Sequence, residues 1–256
     1  MKNLMRYSLV ISMFIIFIPF NLMREKPVCS WQLKFNDDFD ATTLDTTKWS
    51  TVYPSGNGGE QQYYGPKAIS LYNSKMSITA TKAPANGYPY TSGIVITRGK
   101  FAQEYGRFEI RAKLPAGQGY WPAFWLLPVK PHFPVEIDMM EMLGNKPTVI
   151  YMSNHYRNAD RTVHSLTKPS TIAVDFSKAY HTFEVIWNST SITWYVDGVL
   201  QLKTTQYIPH EPMFMLINLA VGGHWPGNPD STTEFPGVMQ VEYARAYKRV
   251  CGTVTY

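Results

Sequence analysis

Three carboxylates, Glu136, Asp138 and Glu141, fall within six residues of the segment VEIDMMEMLG, Val135 to Gly144, whose other side chains are almost all apolar. Acids set among Val, Ile, Met and Leu have neighbours that ask for burial. Packed into one site they suit proton and nucleophile chemistry, because buried carboxylates close together are pushed to different ionisation states and can divide the work of acid and base.

The spacing constrains how such a site can form. On a regular strand Glu136 and Asp138 share a face, and Glu141, five residues from Glu136, points the other way. One extra residue at Met139 or Met140, a β-bulge, restores the phase and gathers all three acids on one face. Val135, Ile137 and one of the methionines then form the buried face. The two glutamates are about four strand steps apart, roughly 13 Å along the backbone. A concave sheet leans their long side chains together, toward the ~5 Å carboxyl separation at which one carboxylate attacks a sugar and the other donates and later accepts a proton. Two blander alternatives stand beside this one. A solvated strand face accommodates three acids, and calcium takes clustered carboxylates, although calcium loops are built from Gly, Asn and Asp rather than Met and Ile.

The surrounding chain predicts strands to hold this segment. In GRFEIRAKL, Phe108, Ile110, Ala112 and Leu114 alternate with Arg107, Glu109, Arg111 and Lys113, an apolar and a polar face. SKMSITATK, HTFEVIWN, SITWYVDG, MFMLINLAV and VEYARAYKRV follow the same habit, and Asn-Gly, Asp-Gly, Pro-Gly and Gly-Gly pairs punctuate them. FSKAYH, near residue 176, carries the one short helical signal. Many short strands between turns predict an all-β protein, a two-sheet antiparallel jelly-roll sandwich whose polar face, where concave, becomes a cleft.

Composition agrees. Of 256 residues, 45% are hydrophobic and 14% aromatic, enough for a large core, while 17% are charged against the ~25% usual for soluble domains. Residues 1–30 read as a signal peptide: Lys2 and Arg6 precede an apolar run from Tyr7 to Phe20 that is too short to cross a bilayer comfortably. A secreted protein with no stable membrane anchor is expected. The formal net charge is +5, and the leader's four basic residues and one acid leave about +2 for residues 31–256. With no Lys/Arg stripe there, nucleic acid is excluded as a partner and neutral substrates fit better. From Trp31 onward no linker or repeat interrupts the chain, so 31–256 is expected to be a single domain. Cys29 and Cys251 either form a disulfide joining the chain ends or are separated when the leader is removed.

The motifs EIDMMEMLG, GYWPAFWLLP, YGRFEIRAKLP, NLAVGGHWPGNPD and ITWYVDG together resemble glycoside hydrolase family 16, in its laminarinase-like endo-β-1,3-glucanase branch, from about Phe35 to Tyr247. The resemblance implies a jelly roll of the concanavalin A-like type and retaining hydrolysis of internal β-1,3 or β-1,3-1,4 glucan linkages by a monomer, with no catalytic cofactor. It implies Glu136 as nucleophile, Glu141 as general acid/base and Asp138 as the supporting carboxylate. The two residues between Asp138 and Glu141 match the bulged subgroup rather than the mixed-linkage lichenases or plant transglycosylases. Trp121, Trp125 and Trp225 are candidate sugar-stacking rings, with Phe124 and one of the tryptophans open to a core role. The resemblance implies Glu109 and Arg111 in the cleft near the nucleophile, with a surface ion pair as the alternative, and His155 and Asn57 beside the sugar, with a His155 held by backbone as the alternative. The sequence departs from the family's pattern around Asn57, at Ile94 and at Glu242, where relatives commonly carry Asp; Glu242 is the candidate ligand for a structural calcium. Two other functions are compatible with the resemblance: action on another polysaccharide such as agar or carrageenan, and glucan recognition without chemistry, which usually goes with loss of the acids retained here.

Overall fold

The computed structural model describes residues 28–130, 135–157 and 162–252; the expected leader lies outside them except for Val28, Cys29 and Ser30. The chain divides into two compact units, Ser30–Val250 and a small one comprising the two chain ends. In the small unit Cys29 and Cys251 are joined by a disulfide, the first of the two alternatives for these cysteines. No helix of the described residues is long and apolar enough to cross a membrane.

Two sheets make up the large unit. The strands are β1 (Val28–Asp37), β2 (Gln62–Tyr64), β3 (Ile69–Leu71), β4 (Met76–Ala80), β5 (Tyr90–Ser92), β6 (Ile94–Ile96), β7 (Gly106–Lys113), β8 (Tyr120–Pro128), β9 (Glu136–Glu141), β10 (Val149–Arg157), β11 (Val163–Thr171), β12 (His181–Asn188), β13 (Ser191–Val196), β14 (Val199–Thr204), β15 (Met213–Val221) and β16 (Gly237–Gly252). One sheet has eight strands in the order β14-β13-β12-β7-β16-β4-β3, with β1 also paired to β16; the other has six in the order β11-β10-β9-β8-β15-β6. β7 pairs antiparallel with β12 and β16, and β8 with β9 and β15, while β2 and β5 form a small parallel pair. The predicted all-β sandwich is therefore what the chain forms. FSKAYH makes a turn instead of a helix: Asp175 accepts from the backbone and hydroxyl of Ser177, a local bond that competes with helix formation.

Alternation builds the core. Phe108, Ile110 and Ala112 of β7 and Phe183, Val185 and Trp187 of β12 meet Phe124, Leu126, Ile137, Ile150 and Met152 from the other sheet, and all are buried. Each large side chain removed from water contributes about 1.5–3 kcal/mol, so this shared interior holds the sheets face to face. β15 is buried at every position because both its faces are covered. Met213, Met215, Ile217 and Leu219 enter the main core, whereas Phe214 and Leu216 join a smaller apolar cluster with Tyr64, Ile94 and Ile96, against which Tyr53, Trp125 and Leu127 pack. That smaller cluster sits on the outer face of the six-stranded sheet and walls one side of a cavity.

Glu109 and Arg111 are not in that cavity. Their strand, β7, is central in the eight-stranded sheet, between β12 and β16, and their side chains leave its outer face. Glu109 pairs with Arg107 and accepts from the Tyr247 hydroxyl at 3.2 Å, while Arg111 pairs with Glu242. The alternation within GRFEIRAKL is as predicted, and the expected cleft position is corrected because that face belongs to the opposite sheet.

Candidate active site

Strand β9 carries the acid trio, flanked by β8 and β10. Its register breaks where the phase argument requires. On β8, Trp125 faces Asp138 and the next residue back, Phe124, faces Met140, leaving Met139 as the extra residue; on β10, Ser153 faces Asp138 and Tyr151 faces Glu141. Both methionines are buried in the core, not one, because the bulge turns the additional residue inward. Val135 is the other departure: it is half-buried and lines the cavity.

The cavity, about 470 Å³, is lined by all three acids together with Asn57, Trp121 and Trp125. Trp121, Ala123, Trp125 and Leu127 project into it on alternate positions of β8, while Phe124 and Leu126 enter the core. Trp225 lies beyond the cavity lining. Its ring packs edge-on against Trp121 at 5.3 Å and against Tyr151 at 4.9 Å, extending the aromatic wall along the sheet. Asn57 is carried by the turn Asn57–Gly59. Gly59 there has φ +79°, and a Cβ on it would lie 2.9 Å from the His224 ring, so a glycine is what lets this turn approach the loop that bears Trp225.

Each acid has a distinct set of partners. Glu141 accepts from the Trp121 indole at 2.9 Å, so Trp121 holds the acid as well as walling the site. Asp138 meets His155 Nε2 at 2.8 Å and shares a hydrogen bond with Glu136. His155 reaches toward Glu136 too, at 3.9 Å, and its Nδ1 meets the Ser165 hydroxyl at 2.6 Å; side-chain partners, rather than backbone, hold the ring. The Ser153 hydroxyl donates to Asp138 and itself accepts from Thr167 at 3.0 Å. Two short relays from β10 and β11 thus converge on one carboxyl group.

Burial governs the ionisation. It pushes Glu141 up to about 8, with the charge of Glu136 adding to the effect and the Trp121 hydrogen bond opposing it. Burial also raises Glu136 and Asp138 well above the usual carboxylate range, each further destabilised as an anion by its neighbour, Asp138 for Glu136 and Glu141 for Asp138. Three such groups cannot all be charged at once. The charge of His155 favours the Glu136 anion, while the hydrogen bond between the two carboxyls raises Glu136 and, with that of Ser153, lowers Asp138. At neutral pH Glu141 then keeps a proton it can donate, and Glu136 and Asp138 are coupled through their shared hydrogen bond.

A second polar chain crosses the wall. The Trp125 indole donates to Asn218 at 2.8 Å, Asn218 to the Tyr64 hydroxyl at 3.0 Å, and Tyr64 to Glu60 at 3.3 Å, where Gln62 also donates at 2.6 Å. Glu60, raised by burial and held down by those two hydrogen bonds, is a fourth carboxylate on the cavity lining. Sequence reasoning overlooked Glu60, Tyr64, Asn218, Ser153, Ser165 and Thr167. Asn218 alone left a signal, as the one polar residue in the apolar run MFMLINLAV.

The calcium expectation fails on chemistry. Glu242 is ion-paired with Arg111 on the far sheet. A carboxylate already neutralised by a guanidinium is a poor ligand for a dication that needs six to eight oxygens. These residues do not fit a calcium ion.

Residues 46–245 match the family described as glycosyl hydrolases family 16. The chain is 36% identical over 208 residues to the endo-1,3-1,4-beta-glycanase ExsH of Rhizobium meliloti, covering 75% of this chain and 44% of that protein. It is 32% identical to a beta-glucanase of Rhodothermus marinus, with 86% of each covered. The chain spans about half the length of several relatives it matches. Among solved structures, the laminarinase catalytic domain of Thermotoga maritima superposes with a TM-score of 0.79 at 34% identity, covering 85% of this chain and 98% of that one.

Proposed function

The chain belongs to glycosyl hydrolase family 16, and on that premise we propose that it is an endo-acting β-glucanase that cleaves internal β-1,3, or mixed β-1,3-1,4, linkages with retention of configuration. The observation that carries this reading is the bulge in β9, which puts Glu136, Asp138 and Glu141 on one cavity face with aromatic walls beside them. Glu136 attacks the anomeric carbon as the bond to the glycosidic oxygen breaks, and Glu141 delivers its proton to that oxygen. Glu141, now a carboxylate, takes a proton from water as that water attacks the glycosyl ester and releases Glu136. Asp138 and His155 hold the nucleophile in place, Asp138 through the hydrogen bond it shares with Glu136. Trp121, Trp125 and Trp225 offer ring faces to the C–H faces of glucose units, and Asn57 meets hydroxyls.

Charge favours a neutral polymer. Four carboxylates line the cavity against Arg98, whose guanidinium sits over the Phe214 ring. A sulfated galactan of the carrageenan type finds only Arg98 as a cation on this lining, which sets it behind neutral glucans. The protein acts as a monomer outside the cytoplasm, the setting in which a disulfide such as Cys29–Cys251 persists.

Incubation with laminarin, lichenan and agarose in parallel, following reducing ends and the anomeric form of the first product by NMR, tests the assignment. Reducing ends from laminarin, with the β-anomer formed first, are expected. No release from either β-glucan, or a Glu136→Gln protein as active as the wild type, would overturn it.

A further inference from the structure

The site as described leaves one of the family-like motifs, ITWYVDG, without a role. Its tryptophan, Trp194, lies on β13 in the eight-stranded sheet and is fully buried. Its indole Nε1 donates to the backbone carbonyl of Asp138 at 2.8 Å. The hydrogen bond therefore runs through the core from one sheet to the catalytic strand of the other.

Asp138 is the last residue of β9 in register with both neighbours before the break. At a bulge the ladder is locally disrupted, and a buried carbonyl there needs a partner. A return to regular pairing would turn Glu141 to the opposite face, since a slip of one residue reverses every side chain beyond it. Trp194 is itself fixed, paired with Val185 on β12 and Leu202 on β14, so the donor is held as rigidly as the acceptor.

We propose that Trp194 is a positioning residue: its indole N–H holds the Asp138 carbonyl and so maintains the bulge that keeps Glu141 on the same face as Glu136. This rests on the reading of the acid trio as catalytic, and the experiment below separates the two.

Trp187 supplies the control. It is equally buried, lies on the adjacent strand β12, donates its indole N–H to a backbone carbonyl, that of Pro209 at 3.1 Å, and packs on Tyr105 and Phe108 away from β9. Trp194→Phe and Trp187→Phe remove similar volume and one hydrogen bond each, so their losses of thermal stability should be alike. Only Trp194→Phe should lower kcat on laminarin, by about 10- to 100-fold with KM little changed, the cost of a displaced catalytic group. Its alkaline pH limb should also move to lower pH, because a displaced Glu141 is better solvated and further from Glu136. Trp187→Phe should keep the wild-type kcat and limb.

A folded Trp194→Phe protein with wild-type kcat, or one that loses no more than Trp187→Phe, overturns the proposal. Should Trp194→Phe fail to fold, replacing Trp194 by 3-benzothienylalanine keeps the ring shape and exchanges the N–H for sulfur; reduced kcat supports the proposal and wild-type kcat overturns it. Glu136→Gln in the same assay distinguishes the layers. If it is inactive while Trp194→Phe behaves like Trp187→Phe, the catalytic reading stands and the positioning role falls; if it is active, both fall.

Discussion

The outer faces of the two sheets both carry acids, and they treat them in opposite ways. On the eight-stranded sheet Glu109 and Glu184 pair with Arg107, Glu242 with Arg111, and Asp38 with Arg245. At the cavity on the six-stranded sheet, among the described residues, Glu136, Asp138 and Glu141, and Glu60 on the loop before β2, have no Lys or Arg ion-pair partner; they are held by each other and by His155, Trp121, Ser153, Tyr64 and Gln62. A guanidinium beside a carboxylate favours the anion, as Arg107 does for Glu184 against the burial that raises it and Arg245 does for Asp38. Indole, hydroxyl and amide donors orient it while leaving its proton negotiable. Equal numbers of acids can thus give an inert surface or a reactive one, according to what neutralises them.

Breaking that contrast should give its largest effect on the acids themselves. Glu136→Gln and Glu141→Gln are each expected to cut kcat on laminarin by about 10³-fold or more, equivalent to roughly 4 kcal/mol. Glu242→Gln on the far sheet should leave kcat unchanged in the same steady-state assay. Next comes the strand that gathers them. Deleting Met139 removes the extra residue, and activity should drop to the level of the glutamine variants while circular dichroism keeps its β signature; retained activity would show that the neighbouring loops are not tuned to the bulge.

The third test uses stability. Glu141 has a folded pKa of about 8 against an ordinary 4.5, so the stability of the wild type is undiminished by this group below about pH 4.5 and is lost as pH rises through 8. Glu141→Gln cannot ionise. It should match the wild type in urea unfolding at pH 4 and exceed it at pH 9 by on the order of a few kcal/mol. The wild type's kcat/KM should fall over the same interval, as the group loses the proton it must donate. Smallest is Arg111→Ala. Its ion pair is more than a third exposed on the Arg side, and screening limits it to about 0.5 kcal/mol, a melting shift of about 1–2 °C with no change in kcat.

What could be read in advance divides along the same line as local and distant information. The bulge was legible because parity within EIDMME is a property of six consecutive residues, and Trp121 and Trp125 on one face followed from their spacing of four. Parity also put Glu109 and Arg111 together on a polar face. Which sheet owned that face depended on β7 pairing with β12 and β16, more than 70 residues away, and nothing inside GRFEIRAKL carries that information. Glu60 and Asn218 were unreadable as a pair for the same reason: 154 residues separate Asn218 from the Tyr64 hydroxyl that links it to Glu60. The acids of the site announce themselves in sequence, and the groups that hold them in place mostly do not.

The chain of donors from Trp125 through Asn218 and Tyr64 to Glu60 has a kinetic side. Its bonds span 93, 154 and 4 residues, so the wall of the cavity exists only after β2, β8 and β15, far apart in the chain, have found each other. Contacts of such long sequence separation are closed slowly in folding, since the loop entropy must be met before they contribute. During refolding, the return of substrate cleavage should therefore trail the return of β structure, making activity a clock for the last pairing to close.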